Sequence, residues 1–252
     1  MTKPIYRHLS NLQWRTMKRP ILMQRITQMH VLPDVLPALD PILSTTLLFH
    51  GTKQKFTHGA LVSSLRSERP PRLTIQPYDK GTRLLTLAVV NADVPDVATD
   101  GFGYRCHFLA SNIEVSPVDT RVDLGKLSED TQVLQRWLPA YAQKGAPYQR
   151  MCLFVFEQPR GAEGGVDSAT QTLPTEDIRK LAKYMDREGF NMRSFADRFG
   201  LKAVGVDLFR TVWDEGTAGV MQRAGVEGAD VEFKRKRVEP LPYKRSKGER
   251  YR

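Results

Sequence analysis

Residues 151–157 read Met-Cys-Leu-Phe-Val-Phe-Glu, six apolar side chains in succession. An amphipathic helix or a half-exposed strand would show polar positions at a period of 3.6 or 2, and this run shows neither. It is too short to cross a membrane, but it suits a strand covered on both faces. Leu84–Val90, Leu-Leu-Thr-Leu-Ala-Val-Val, repeats the pattern with a single threonine. Two such strands demand a sheet with packed material on either side, so the core needs at least two layers.

The other strand signals agree. Leu73–Pro77 reads as a short strand. Cys106–Ile113 is expected to alternate, with His107, Leu109, Ser111 and Ile113 on one face and Cys106, Phe108, Ala110 and Asn112 on the other. Helices come late. Thr175 is placed to cap one carrying Ile178, Leu181, Ala182 and Met185, stopped by Gly189. Asn191 is placed to cap a shorter one that pairs Phe195 with Phe199 and closes at Gly200. The Gly-rich stretch between strand and helix, residues 159–174, lacks the Gly-Lys-Ser/Thr ending of a phosphate loop and reads as a surface loop. Strands first and helices after imply a mainly β, α+β body, an antiparallel core with helices gathered at one end.

The ends differ from this body. Residues 1–33 hold Lys3, Arg7, Arg15, Lys18, Arg19 and Arg25 and no acid. They read as helix in two pieces broken at Pro20, with Leu9, Leu12, Trp14 and Met17, then Ile21, Leu22, Ile26 and Met29, as apolar positions. Their acid-free composition resembles a mitochondrial targeting segment, here expected to be retained as an arm. Residues 31–45 carry three prolines and read as a strap over the body. Residues 231–252 are again basic, with Lys234, Arg235, Lys236, Arg237, Lys244, Arg245 and Lys247 among them. Each end carries +6 of the net +10, which leaves −2 for residues 34–230. The expected organisation is an arm and strap over 1–57, a body over 58–228 and a basic tail over 229–252. A near-neutral body with two basic ends suits a polyanion partner, nucleic acid above all. Tyr6, Trp14, Tyr243 and Tyr251 lie among these cations, placed to stack on bases or to anchor on protein.

Nothing in the sequence speaks for catalysis. The five histidines have no metal-ligand spacing, the two cysteines no C-x-x-C partner, and no nucleophile-elbow or zinc-protease motif occurs. Adjacent Cys106 and His107 would point to opposite faces of a strand. No metal and no cofactor is expected.

The order of motifs does carry a resemblance. A strand ending in Asn91-Ala92-Asp93-Val94-Pro95, a loop, and then His107-Phe-Leu-Ala-Ser-Asn-Ile113 resembles the phosphatidylethanolamine-binding protein family, with its D-P-D-x-P and H-(W/F)-L-V-x-N-I segments. Tyr148–Pro159 resembles that family's H-R-containing strand, and Phe190–Glu215 its later F-A and W-D segments. The resemblance implies an antiparallel β-sandwich with flanking helices. It also implies an anion pocket, to which Asp93, Pro95, His107 and Arg150 correspond. Asn91 replaces the first aspartate, Ala92 the motif proline and Gln149 the histidine of H-R, while 143–147 replaces a glycine–proline–proline turn. The set Asn91, Asp93, Pro95, His107, Gln149 and Arg150 is therefore expected to be a vestigial pocket.

A body of this family with a helical arm, a basic tail and a worn pocket resembles the branch found in the large subunit of mitochondrial ribosomes. That implies a structural, non-enzymatic role in the matrix. Ribosomal RNA and neighbouring large-subunit proteins would be the partners, reached through the arms, with no membrane span and no small-molecule substrate. The alternative is a soluble regulator of the same family, binding a phosphorylated or phospholipid ligand and inhibiting a kinase or protease.

Overall fold

The computed structural model describes residues 1–51, 57–160 and 170–233. The chain opens with helix α1 (Pro4–Gln13), which continues through a five-residue π-helical stretch, Trp14–Lys18, into α2 (Arg19–Gln28). The sequence predicts a break at Pro20; the helix instead widens just ahead of it. Proline has no N–H to bond back one turn, and its ring crowds that turn's carbonyl; the wider turn makes room for it. The extra residue also keeps Trp14 in line with Leu22 and Ile26.

These three side chains are buried in the protein's own core. Ile5, Leu9, Leu12, Met17 and Ile21 are each more than half exposed on other sides of the arm. The predicted groupings mix the two sets: they place Trp14 with Leu9, Leu12 and Met17, and Ile21 with Leu22 and Ile26. A helix with apolar residues on two faces gives no sequence signal of which face docks.

A short helix α3 (Val31–Asp34) follows, and then the strap leads to β1 (Ser44–Leu48). After α4 (Ser64–Ser67) come β2 (Arg72–Gln76), β3 (Arg83–Asp96), β4 (Gly101–Val115), β5 (Arg121–Asp123), β6 (Val133–Gln135) and β7 (Gln149–Glu157). Helices α5 (Thr175–Lys180), α6 (Ala182–Met185) and α7 (Met192–Arg198), strand β8 (Lys202–Thr211) and helix α8 (Thr217–Arg223) complete the body. One antiparallel sheet runs β1-β2-β5 and the other β6-β4-β3-β7-β8. β1 lies within the stretch read as arm and strap, yet it is an edge strand of the body. The strap also covers the outer edge of β8, where the Ile42 and Leu43 amides both donate to the Val204 carbonyl.

The apolar runs behave as their composition requires. Met151, Leu153 and Val155 face the core between the two sheets, together with Leu85, Leu87 and Val89. Cys152, Phe154 and Phe156 face the opposite side with Ala88 and Val90, under α5–α7 and the inner face of the arm. The strict alternation predicted for Cys106–Ile113 does not hold. Val89 pairs with Phe108 and Val90 with Cys106, which leaves His107 as the extra residue of a bulge; a second shift follows between Leu85 and Leu87. Cys106 and Leu109 therefore share one core while Phe108, Ala110 and Ile113 share the other. The helix expected from Thr175 splits at Leu181, whose backbone is extended, and Thr175 makes no side-chain cap. Asn191 does cap, its Oδ1 accepting from the Ser194 amide at 2.8 Å. The Phe195 and Phe199 rings lie 5.0 Å apart.

The arm thus closes a core and is not a free appendage. Trp14→Ala or Ile26→Ala is expected to cost about 2–5 kcal/mol of stability. Ile21→Ala, at a side chain 62% exposed, should stay within about 0.5 kcal/mol. Urea unfolding of the full chain measures both.

Candidate functional site

Three neighbouring strands of the larger sheet, β4, β3 and β7, carry the site residues. β3 brings Asn91 and Asp93, β4 brings His107, and β7 brings Gln149 and Arg150. Asn91 stands opposite Met151 on β7, two residues from Gln149. Both the Asn91 and Gln149 side chains are buried. Asn91 Nδ2 donates to Gln149 Oε1 at 2.7 Å, and Asn91 Oδ1 accepts from the Asp93 amide at 3.0 Å. Gln149 Nε2 donates in turn to Gln143 Oε1. A carboxylate and an imidazole here would need a proton or an ion between them; two amides satisfy each other.

Gln143 sits on the rebuilt rim. Gly145 turns there with φ +82°, and a Cβ on it would come within 2.4 Å of the Phe233 carbonyl, so only glycine fits. The Phe233 amide donates to the Lys144 carbonyl at 2.8 Å. The last described residues before the tail are thereby tied to the rim.

Asp93 and Arg150 form the site's charged centre. Arg150 Nε and Nη2 grip the Asp93 carboxylate, with Nη2 2.6 Å from Oδ1, and the Arg150 amide donates to Oδ2 at 2.7 Å. Nη1 reaches the arm: it donates to the Met29 carbonyl at 2.8 Å, the His30 carbonyl at 3.0 Å and Asp34 Oδ2 at 2.9 Å. Burial opposes the charge on Arg150, but the hydrogen bonds to Asp93 and Asp34 outweigh it and raise its pKa. His30 turns with φ +51°, an uncommon conformation for a residue with a Cβ, and its carbonyl is one of those Arg150 holds. Tyr104 adds a hydroxyl hydrogen bond to the Asp34 carbonyl at 2.8 Å.

A cleft of about 360 Å³ remains between the arm and the rim, lined by Met29, His30, Asp93, Phe102, Tyr148 and Arg150 among others. His107 and Pro95 do not line it. The His107 ring is sealed beneath: Nδ1 donates to the Leu138 carbonyl at 3.0 Å, while Nε2 is buried without a partner among the described residues. Burial first, then the nearby Arg105 and Arg187 charges, push the imidazole down to about 3. Burial likewise drives the Cys106 and Cys152 thiols up to about 12. A thiolate–imidazolium pair needs the opposite shifts. Among the described residues no cluster of three His, Cys, Asp or Glu has metal-ligating geometry, and no helix is long and apolar enough to cross a membrane.

The arm residues divide. Lys3, Arg15, Lys18 and Arg25 are exposed and Arg7 partly so. Trp14 is not available to a base or partner, since it is 2% exposed in the core. Arg19 is half-buried and pairs with the exposed Asp40. Lys234, Arg235, Lys236, Arg237, Lys244, Arg245, Lys247, Tyr243 and Tyr251 lie outside the described residues. Sequence reasoning missed Asp34, whose one signal was being the first acid in the chain; it placed Gln143 on the rebuilt rim turn but not its bond to Gln149.

The family model described as "Phosphatidylethanolamine-binding protein" matches residues 52–199, more than half of the chain. The chain belongs to that family. A relative, "Large ribosomal subunit protein mL38" of Schizosaccharomyces pombe, is 22% identical over 248 residues, which are 96% of this chain and 71% of that protein. The phosphatidylethanolamine-binding protein from Plasmodium vivax superposes with a TM-score of 0.55 at 15% identity, covering 76% of this chain and 97% of its own. A carboxypeptidase Y inhibitor, solved with its cognate proteinase, gives 0.54 at 15% identity over 76% of this chain and 95% of its own. These likenesses show the fold. Against the segments of the resemblance, Asp93, Pro95, His107 and Arg150 are kept, while Asn91 and Gln149 stand in place of an aspartate and a histidine.

The imidazole gives a test. Its folded pKa of about 3 lies below that of the unfolded chain. The unfolded state therefore binds the extra proton as pH falls below about 6.5, and stability is lost progressively down to about 3. Between about pH 7 and pH 5 the wild type is expected to lose about 2 kcal/mol more than His107→Leu. Urea unfolding at both pH values checks this, and parallel losses would contradict it.

Proposed function

We propose that this chain is a non-catalytic structural component of the mitochondrial large ribosomal subunit, working in the matrix. The span of likeness carries the proposal. Solved family members match about three quarters of the chain, whereas the ribosomal relative matches 96%. What this chain adds to the family body is thus shared with a ribosomal protein.

The site supports the same reading. Asn91 and Gln149 satisfy each other, His107 is sealed, and the arm lies across the mouth. The family body becomes a scaffold for attachments. We assign residues 58–228, together with β1, to that scaffold, and the arm before and tail after it to docking. Lys3, Arg15, Lys18 and Arg25 face outward to meet ribosomal RNA phosphates. Ile5, Leu9, Leu12, Met17 and Ile21 offer apolar contact to neighbouring proteins. No cofactor or small-molecule substrate enters this role.

A second reading, a soluble inhibitor or ligand-binding regulator, draws on one observation: Asp93 and Arg150 still border an open cleft. Calorimetry with phosphate and phosphoethanolamine separates the two. The structural role predicts no saturable heat at millimolar ligand that depends on Arg150; saturable binding abolished in an Arg150→Ala variant would favour the regulator.

The structural role also predicts co-sedimentation with the large subunit from a mitochondrial lysate, surviving a high-salt wash. A chain that stays at the top of the gradient at low salt as well would contradict it.

A further inference from the structure

A second concavity, with cations on its rim, lies away from the family site. A cleft of about 710 Å³ opens between α1 and the turn joining β2 to β3, which places it within the range of small-ligand sites. Its floor is Arg83, buried with 7% exposure. Arg83 Nη2 is 2.6 Å from Asp79, and Arg83 Nη1 is 3.5 Å from Glu157. Glu157 also takes Arg160 Nη2 at 2.8 Å. Two arginines and two carboxylates therefore cancel at the floor, and among the described residues that line the cleft no further acid faces the rim.

The rim carries the uncompensated charge. Arg7 comes from α1 and Lys80 from the exposed turn, and neither makes an ion pair among the described residues. They stand on opposite walls, one supplied by the arm and one by the body. His8 and Asn11 on the arm and Thr82 on the turn add hydrogen-bonding groups. Such a cleft concentrates anions, since field lines from both walls converge in it.

We infer that this cleft holds a phosphate of an RNA backbone between Arg7 and Lys80. The inference rests on the ribosomal reading and gives it a definite contact. Two aromatic side chains line the cleft, Tyr78, half-buried, and His8, exposed on the arm. The contact inferred is to the backbone phosphate, which carries no sequence information. Because one cation rides on the arm, the contact forms only with the arm docked on the body. This ties RNA binding to the Arg150 network on another side of the arm.

The test uses the full chain and short oligouridine, with binding followed across a salt series. Arg7→Ala/Lys80→Ala is expected to lower the slope of log affinity against log salt by about 1.4, about 0.7 for each cation on a single strand. Lys80→Ala, a change at an exposed turn, should give half of this. Arg121→Ala/Lys126→Ala, which removes two exposed cations of the body outside the cleft, serves as the comparison and should leave the slope unchanged. An unchanged slope in the Arg7/Lys80 variant would overturn the inference. So would equal displacement of oligouridine by polyglutamate at matched charge, which would assign the cleft to an acidic protein segment. Co-sedimentation with the large subunit together with an unchanged slope would refute the cleft alone; cleft-dependent binding by a chain that never sediments would refute the ribosomal reading alone.

Discussion

One guanidinium holds the arrangement together. Arg150 grips Asp93 on the neighbouring strand with Nε and Nη2, and with Nη1 it holds two carbonyls and a carboxylate of the arm. A planar fork with five donors is the side chain suited to such a junction, and lysine would not replace it. The pairing also protects a half-buried Asp93, whose charge would otherwise be left without compensation. The contact joins the left-handed turn at His30 to the body, while Trp14, Leu22 and Ile26 seat the arm's inner face in the core.

Two side chains decide the chemistry of the site's floor. Where the family motif has aspartate and histidine, Asn91 and Gln149 have complementary amides, each offering a donor and an acceptor. The floor of the site is satisfied without a ligand. Arg150, gripped by Asp93, reaches out to the arm with Nη1. The same residues that would border an anion pocket instead fasten the polypeptide. At the other side of the rim, Gly145 and Lys144 hold the segment that leads into the tail. Both attachments leave the body near the converted site.

The sheet was legible because Met151–Phe156 and Leu84–Val90 admit no solvent face, and their side chains divide between the two cores as a period of 2 requires. The Asn191 cap and the Phe195–Phe199 pair were legible because both interactions are local. The bulge at His107 was not, since an extra residue in one strand is defined only by its partner. The links of Arg150 to Asp34 and of Asn91 to Gln149 join residues 116 and 58 positions apart, and no spacing rule reaches across such distances. Trp14 was misassigned for a physical reason: an arm that is apolar on two faces and basic around them reads the same whether its inner face docks at home or elsewhere. The motif residues of the pocket could be read, but their contacts could not.

The claim on which the rest depends is that Arg150 latches the arm over the converted pocket. Hydrogen exchange of the full chain, compared with an Arg150→Gln variant, measures this directly. A latched arm predicts that amides of α1 and α2 are protected in the wild type. In the variant they should exchange much faster while those of β3 and β7 stay slow. Rapid exchange of the arm in the wild type, or equal protection in both proteins, would contradict it.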